Sequence, residues 1–447
     1  MEVTRLKMLS DFDALGTVPY SFWLVMLVSV SFFLVFWDIY NIGFVLPLAS
    51  LELGVPASSP LYALPISAGL AGYVAGEISF GFMSQNIGRR KVFIATLLTL
   101  AAGSFLSAFS QNFIELSIFR LVVGIGIGAE IAVIPSYMSE ITPSRVRGTY
   151  SSVVAGVGTL AIIPVGFMSL YFLGTSPNFW RYLLGIPGLI ALPIFFLRLV
   201  YLPESPRWLL EHGDAHGASA VFGRLGVLSV NEDAAIAGHA GIRTFLERKY
   251  TGRAVLFFLV WTLFYFGDYA AFSVGPSLLV IHGVAPSAVF LYFLIALLGG
   301  ALGAMVGVRA CDRIERKKLG LVAMSVMAVS LLLWGFGIGS ALVQVVWGFA
   351  TFAMGGLWIP VIYTYTAENF PTRNRTSMMG FTDGLGHTGG AVAPYIVIPL
   401  SLSAGFPGVG GFTSAFIVMA VAQLLAGILL YLFGSRTNRK CLEEISP

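Results

Sequence analysis

Four ionisable side chains stand inside long apolar stretches: Asp38, Arg120, Asp268 and His387. A charge at membrane depth costs at least about 2.5–3.5 kcal/mol on insertion scales, so each of them needs a partner or a function. A carboxylate beside a guanidinium keeps its charge until that partner is withdrawn or taken by another anion. Asp38 and Arg120 thus have the makings of a proton switch, or of a fixed structural ion pair. Asp268 stands among Trp261, Tyr265 and Tyr269, where it could meet a substrate, carry a second proton or bond to a neighbouring helix. Asp383 and His387 are four residues apart and share a helix face. An imidazole changes charge near neutral pH, which suits a relay; a hydrogen-bonded buried histidine is the plainer reading.

These groups need elements that hold them at a common depth. Of the 447 residues, 57% are hydrophobic and 11% charged, against roughly 45–50% and 25% in soluble domains. A soluble core cannot absorb that apolar excess, which excludes a soluble enzyme, a disordered chain and a nucleic-acid-binding domain. Apolar runs between charged or Gly/Pro breaks predict twelve membrane spans, at 22–47, 58–83, 92–110, 113–138, 149–173, 180–201, 253–281, 286–308, 319–338, 341–366, 377–403 and 411–434. The first run is too long for a signal peptide and follows a polar stretch holding Asp11 and Asp13. The expected fold is an all-α polytopic membrane protein.

Lys and Arg gather at the even-numbered connections (Arg89, Arg90, Lys91, Arg145, Arg147, Arg309, Arg313, Arg316, Lys317, Lys318, Arg373, Arg375) and in the middle segment. The positive-inside rule places both termini and that segment in the cytoplasm of a cell whose plasma membrane the chain crosses. Cys311 and Cys441 then lie on the reducing side as free thiols, without a disulfide framework or metal cluster.

The sequence repeats itself. Tyr137, Glu140, Pro143, Arg145 and Arg147 recur at a constant offset of 228 as Tyr365, Glu368, Pro371, Arg373 and Arg375. Residues 1–201 are expected to form one six-helix bundle and 253–447 a second with a tail. Residues 202–252 are expected to be a linker with short amphipathic helices. Repeated halves with a site between them are the architecture of many secondary transporters.

On these residues the chain resembles the major facilitator superfamily, on its sugar porter and metabolite:proton symporter side. Gly81 to Arg90 resembles the loop 2–3 signature, with Gln85 at its usual acidic position. Arg120 with Gly124, Gly126 and Gly128 is similar to the span 4 signature, and Glu140, Pro143, Arg147 and Gly148 to its inner end. Pro203-Glu204-Ser205-Pro206-Arg207-Trp208-Leu209 resembles the sugar porter segment after span 6, and Glu368, Phe370, Pro371 and Arg375 the loop 10–11 signature. The resemblance implies twelve helices in two pseudo-symmetric bundles, with Asp38 and Arg120 as the proton-coupling couple. It also implies a charge network closing the cytoplasmic face: Glu140, Glu204, Arg207, Asp312, Arg316, Glu368 and Arg375. Depth along the helices adds Glu77 and Glu130 to this inner lock, above Arg89 and Arg147.

Spans 5 and 7 lack the amides usual in sugar porters, while Glu130 looks more like metabolite and organic-ion symporters. Trp37, Tyr40, Asn41, Tyr265, Tyr269, Trp358, Tyr363 and Asp383 are the expected lining of the substrate cavity, suiting a sugar ring or an aromatic metabolite. The expectation is secondary transport of a small organic solute by alternating access, with protons as the coupling ion. Uniport, proton-driven export and a non-transporting sensor are the alternatives. The protein is expected to work as a monomer in the lipid bilayer, with no cofactor, metal, nucleic-acid partner or enzymatic activity.

Overall fold

The computed structural model describes residues 9–15, 22–55, 59, 61, 64–172, 178–225, 248–275, 278–279, 282–372 and 374–446; the linker stretch 226–247 and Arg373 lie outside them. Each apolar run folds as a long helix, and no strand occurs among the described residues. α1 spans Phe22–Glu52, α2 Leu64–Ile87, α3 Arg89–Ser107 and α4 Phe113–Ile141. α5 is Arg147–Thr159 continued by Ile162–Phe172, and α6 is Phe179–Tyr201. The second half has α7 at Arg248–Tyr269, α8 at Pro286–Ala310, α9 at Arg316–Phe336 and α10 at Ala341–Glu368. α11 is Arg375–Gly386 continued by Thr388–Leu402, and α12 is Gly411–Phe433. Among the described residues eleven of these are long and apolar enough to cross a membrane, and the apolar part of α8 covers Leu291–Gly307. Large apolar side chains such as Trp23, Phe167, Leu342 and Tyr395 point outward, which an aqueous surface would not tolerate on this scale.

Local chemistry sets the boundaries. The Asn112 side chain caps α4 by accepting from Glu115 N at 2.9 Å, while Glu115 accepts from Gln111 N at 2.8 Å. α7 ends in a π turn, Ala270–Val274, directly after Asp268 and Tyr269; such turns cluster at functional sites. Span 11, read from the sequence as one run, is interrupted at His387, where Gly384, Gly386, Gly389 and Gly390 weaken the helix.

Helix pairing follows the sequence repeat. α2 packs on α4 as α8 does on α10, and α3 on α6 as α9 does on α12; across the halves α2 meets α11 and α5 meets α8. The α2–α4 seam is made of backbone. A Cβ at Gly128 would stand 2.0 Å from the Tyr73 carbonyl oxygen, and one at Gly76 would stand 2.1 Å from that of Ile125. Gly128→Val is therefore expected to force the two helices apart. The thermal unfolding midpoint in detergent should fall by the equivalent of about 1–3 kcal/mol, and an unchanged midpoint would mean that the seam is looser than described.

At the end that carries the basic connections, the short helices Pro206–Glu211 and Ala215–Arg224 close a small separate core with residues 9–14. Leu9 and Phe12 pack there on Leu210, Val221 and Phe222. The polar lead-in to the first span is thus part of the fold.

Candidate functional site

In the first half, the Asp38 carboxylate of α1 is fully buried and has three side-chain donors. Arg120 Nη1 of α4 lies 3.1 Å from Oδ1, Asn41 Nδ2 3.3 Å from the same oxygen, and Ser104 Oγ of α3 2.8 Å from Oδ2. Arg120 Nη2 also donates to the Asp38 carbonyl at 3.3 Å. The pair joins three helices of one half at a single level.

In the second half the polar groups converge on Asp383 of α11. Tyr265 of α7 donates to its Oδ1 at 2.6 Å, and the Tyr265 and Tyr363 hydroxyls are 3.2 Å apart. The His387 ring lies 3.9 Å from Tyr265 and 4.2 Å from Tyr73 of α2, centroid to centroid, and therefore sits between the halves. Its Nδ1 bonds the Asp383 carbonyl at 2.9 Å, so that nitrogen carries the proton. Asp268 has no hydrogen bond or ion pair among the described residues. It is half-buried, with Gly355 beside its Oδ1 and with Tyr40 of the first half and Tyr269 of the second close enough to feel its charge. Tyr40 meets Phe272 across the halves at 5.8 Å.

At the basic end two carboxylates each bind arginines of both halves. Glu140 takes Arg89 Nη2 at 3.0 Å and Arg375 Nη1 at 2.9 Å; Glu368 takes Arg316 Nε at 2.9 Å and Arg147 Nη1 at 3.2 Å. The two clusters are copies with the halves exchanged. Arg89 also reaches the Thr372 carbonyl at 2.8 Å. Asp312 accepts from the N–H groups of Gly148 and Thr149 at 2.9 and 2.6 Å, an anion at the N-terminus of a helix of the other half. Glu204, just after α6, caps α3 of the same half through the N–H groups of Arg89 and Arg90, at 2.9 and 3.2 Å. Burial raises its carboxyl above the usual range, opposed by those N–H groups and by the Arg89 charge.

Comparison with known proteins decides the family. The model for "Sugar (and other) transporter" matches residues 23–447. The chain belongs to that family. The curated relatives include the putative metabolite transport protein YyaJ of Bacillus subtilis, 28% identical over 90% of each chain. The niacin transporter NiaP of Acinetobacter baylyi is 27% identical over 85% of this chain and 86% of its own. The proton:xylose symporter XylE shares the fold at 18% identity with a TM-score of 0.77, over 94% of this chain and 97% of that one. The protein is thus a multi-pass membrane transporter of sugars or other small metabolites, of the major facilitator superfamily and twelve-helix, and not an enzyme.

Within this transporter several side chains stand elsewhere than the sequence implies. Glu77 was expected among the ion pairs of the basic end; it lies instead against Asp383 and His387, because glycines 380 and 384 let α11 close directly onto it. Glu130 was expected there too. It faces inward and holds Arg198 of α6 in a two-pronged pair at 2.6 and 2.9 Å, with Thr96 at 2.6 Å, all within the first half. Trp37 and Asn41, expected in the cavity, bond the Leu183 carbonyl of α6 at 3.0 and 3.2 Å and brace that half. Trp358 is buried against Gly320 of α9 and Phe264, away from the interface. Tyr265, Tyr269, Tyr363, Asp383 and Tyr40 do come together near the interface.

Two important residues escaped the sequence reading. Arg198 had a usable signal, a charge four residues inside the end of a predicted span. Asp13 had none beyond its polar setting. Its carboxylate binds Arg207 Nη2 at 2.7 Å, Arg147 Nη2 at 3.4 Å and Ser144 N at 2.8 Å, tying the linker to the cross-half cluster. Asp13→Ala is expected to cost about 1–3 kcal/mol and to speed proteolysis of the linker. Wild-type cleavage rates would show that the small core alone holds those helices.

Proposed function

We propose that this transporter carries a small organic solute across the plasma membrane by proton symport and alternating access, with both termini in the cytoplasm. The Asp38–Arg120 contact is the observation that carries the reading. A carboxylate with one cationic partner among the described residues, both buried, is a unit whose charge changes if a proton replaces the arginine. The basic end supplies the second requirement. Its ion pairs join the halves in a discrete arrangement, and must break for that end to open, so they bias the conformational equilibrium. The preference of basic loops for the inner side makes this the cytoplasmic gate.

The hydroxyls of Tyr265, Tyr269 and Tyr363, with Asp268 uncompensated nearby, form a site for a neutral polyol, an aromatic metabolite or a cation rather than a multivalent anion. The names of the relatives span the same range, with niacin for NiaP, glucose for GlcP of Staphylococcus epidermidis and xylose for XylE. A thermal-shift screen of sugars, organic acids, aromatic acids and amines at two pH values identifies the ligand. Uptake into proteoliposomes with an imposed pH gradient then tests the coupling. Accumulation that follows the substrate gradient alone would make the protein a uniporter.

A further inference from the structure

The gate and the Asp38–Arg120 couple leave one buried group of titratable side chains without a role, where α2 meets α11. Glu77, Asp383 and His387 place ligand atoms within 4.8 Å of one another, and both carboxyl residues are fully buried. Asp383 Oδ1 has the Tyr265 hydroxyl, but Asp383 Oδ2 and both oxygens of Glu77 have no hydrogen-bond donor. Three dry acceptors facing one another lack a hydrogen.

The neighbouring titratable groups place no donor on those three oxygens. α2 itself adds Tyr73, α7 adds Tyr265 and Tyr269, and α10 adds Tyr363. α4 presents Gly124 and Gly128 to α2, and the charged residues of α3 are Arg89, Arg90 and Lys91 at the basic end. α12 carries no Asp, Glu, Lys, Arg or His. No Lys or Arg pairs with either carboxylate among the described residues. His387 is the one basic side chain, and its Nδ1 is 3.9 Å from Asp383 Oδ1 and bonded to the Asp383 carbonyl. Two carboxylates this close in a dry site cannot both be ionised.

We propose that Glu77 and Asp383 hold a proton between them, in a site built from both halves that loses it when the basic end opens. One proton turns one oxygen into a donor for another and removes the repulsion. Splaying α2 from α11 admits water, hydrates both carboxyls and releases the proton to the side that opens. The site is a second proton carrier beside Asp38. It rests on the alternating movement proposed above, but not on Asp38 as the coupling residue.

The test uses full-length protein with Cys311→Ser and Cys441→Ser, spin-labelled at Asn86→Cys and Arg313→Cys, exposed positions at the basic end of the two halves. The separated population is expected to rise with pH through one step, by about tenfold in ratio per pH unit, because one proton leaves. Glu77→Gln and Asp383→Asn should each stay closed with that step gone, and His387→Gln should keep it. The step should persist in Asp38→Asn, whose own failure to alter transport would concern only the other couple. Glu140→Gln with Glu368→Gln checks that the end can open at all. A step unchanged in Glu77→Gln and in Asp383→Asn overturns the site, as does a step lost in His387→Gln alone. So does closure at high pH that appears only with added Zn2+ or Mn2+ and vanishes with EDTA, which would make the ligand a metal.

Discussion

Asp38→Asn is expected to end substrate accumulation driven by a pH gradient while leaving exchange of labelled for unlabelled substrate. The variant should also lose about 3–5 kcal/mol of stability, since removing one partner of a buried pair strands the other charge. The stranded group is the worse one to leave. Arg120 cannot shed its proton, is 5% exposed and would face a neutral amide in place of its counter-charge, with the Asp38 carbonyl at 3.3 Å unchanged. Arg120→Ala is expected to uncouple transport as well, at a lower cost in stability. Asp38 retains Ser104 and Asn41 as donors, and a carboxyl can become neutral where a guanidinium cannot. Uptake in liposomes and thermal unfolding separate the two effects. Wild-type accumulation by Asp38→Asn would remove this residue from coupling and leave Asp268 or the α2–α11 pair to carry the proton.

How far the sequence reaches is visible in the residues it misplaced. The spans and the repeat were legible because hydropathy and the fixed offset of 228 mark them independently, whereas the arginine–carboxylate clusters were legible only through the family resemblance of their motifs. Depth alone also paired Asp38 with Arg120 correctly in height, at 3.1 Å in space. Depth does not specify azimuth, however. Glu77 and Glu130 stand at similar levels, yet one faces α11 across the interface and the other Arg198 inside its own half. Nothing local tells the two apart, since both follow glycine-rich helix surfaces. The aromatic residues fail for the same reason. Trp37 and Trp358 resemble cavity residues in type and depth, and their rings are instead filling space within each half. Tertiary packing also recruited Asp13, whose partners lie 131 and more residues away.

Neutralising Glu140 and Glu368 together is expected to open the basic end, and native Cys311 reports it without any introduced thiol. Cys311 follows α8 and lies 3.2 Å from Ser152 of α5, so its sulfur is covered by the opposite half. Burial pushes the thiol up to about 11, well above its ordinary value. The thiolate, which is the reactive form, is therefore scarce by a factor on the order of a hundred near neutral pH while this end is closed. Opening uncovers the sulfur and restores its ordinary ionisation. Neutralising Glu140 removes the carboxylate that Arg89 and Arg375 share, while on loss of Glu368 Arg147 and Arg316 keep Asp13 and Asp312 at 3.4 and 3.5 Å; a broken buried pair costs about 3–5 kcal/mol. The closed-to-open ratio should then fall by at least a hundredfold through the Glu140 site, since about 1.4 kcal/mol is a factor of ten. In a Cys441→Ser background, maleimide labelling of Cys311 is expected to accelerate by on the order of a hundredfold. A monodisperse protein by size exclusion distinguishes opening from unfolding. Unchanged labelling would mean that the closed end is held by its backbone contacts instead. Ser377 bonds the Gly81 carbonyl at 3.1 Å and Asp312 caps α5, and neither contact involves Glu140 or Glu368.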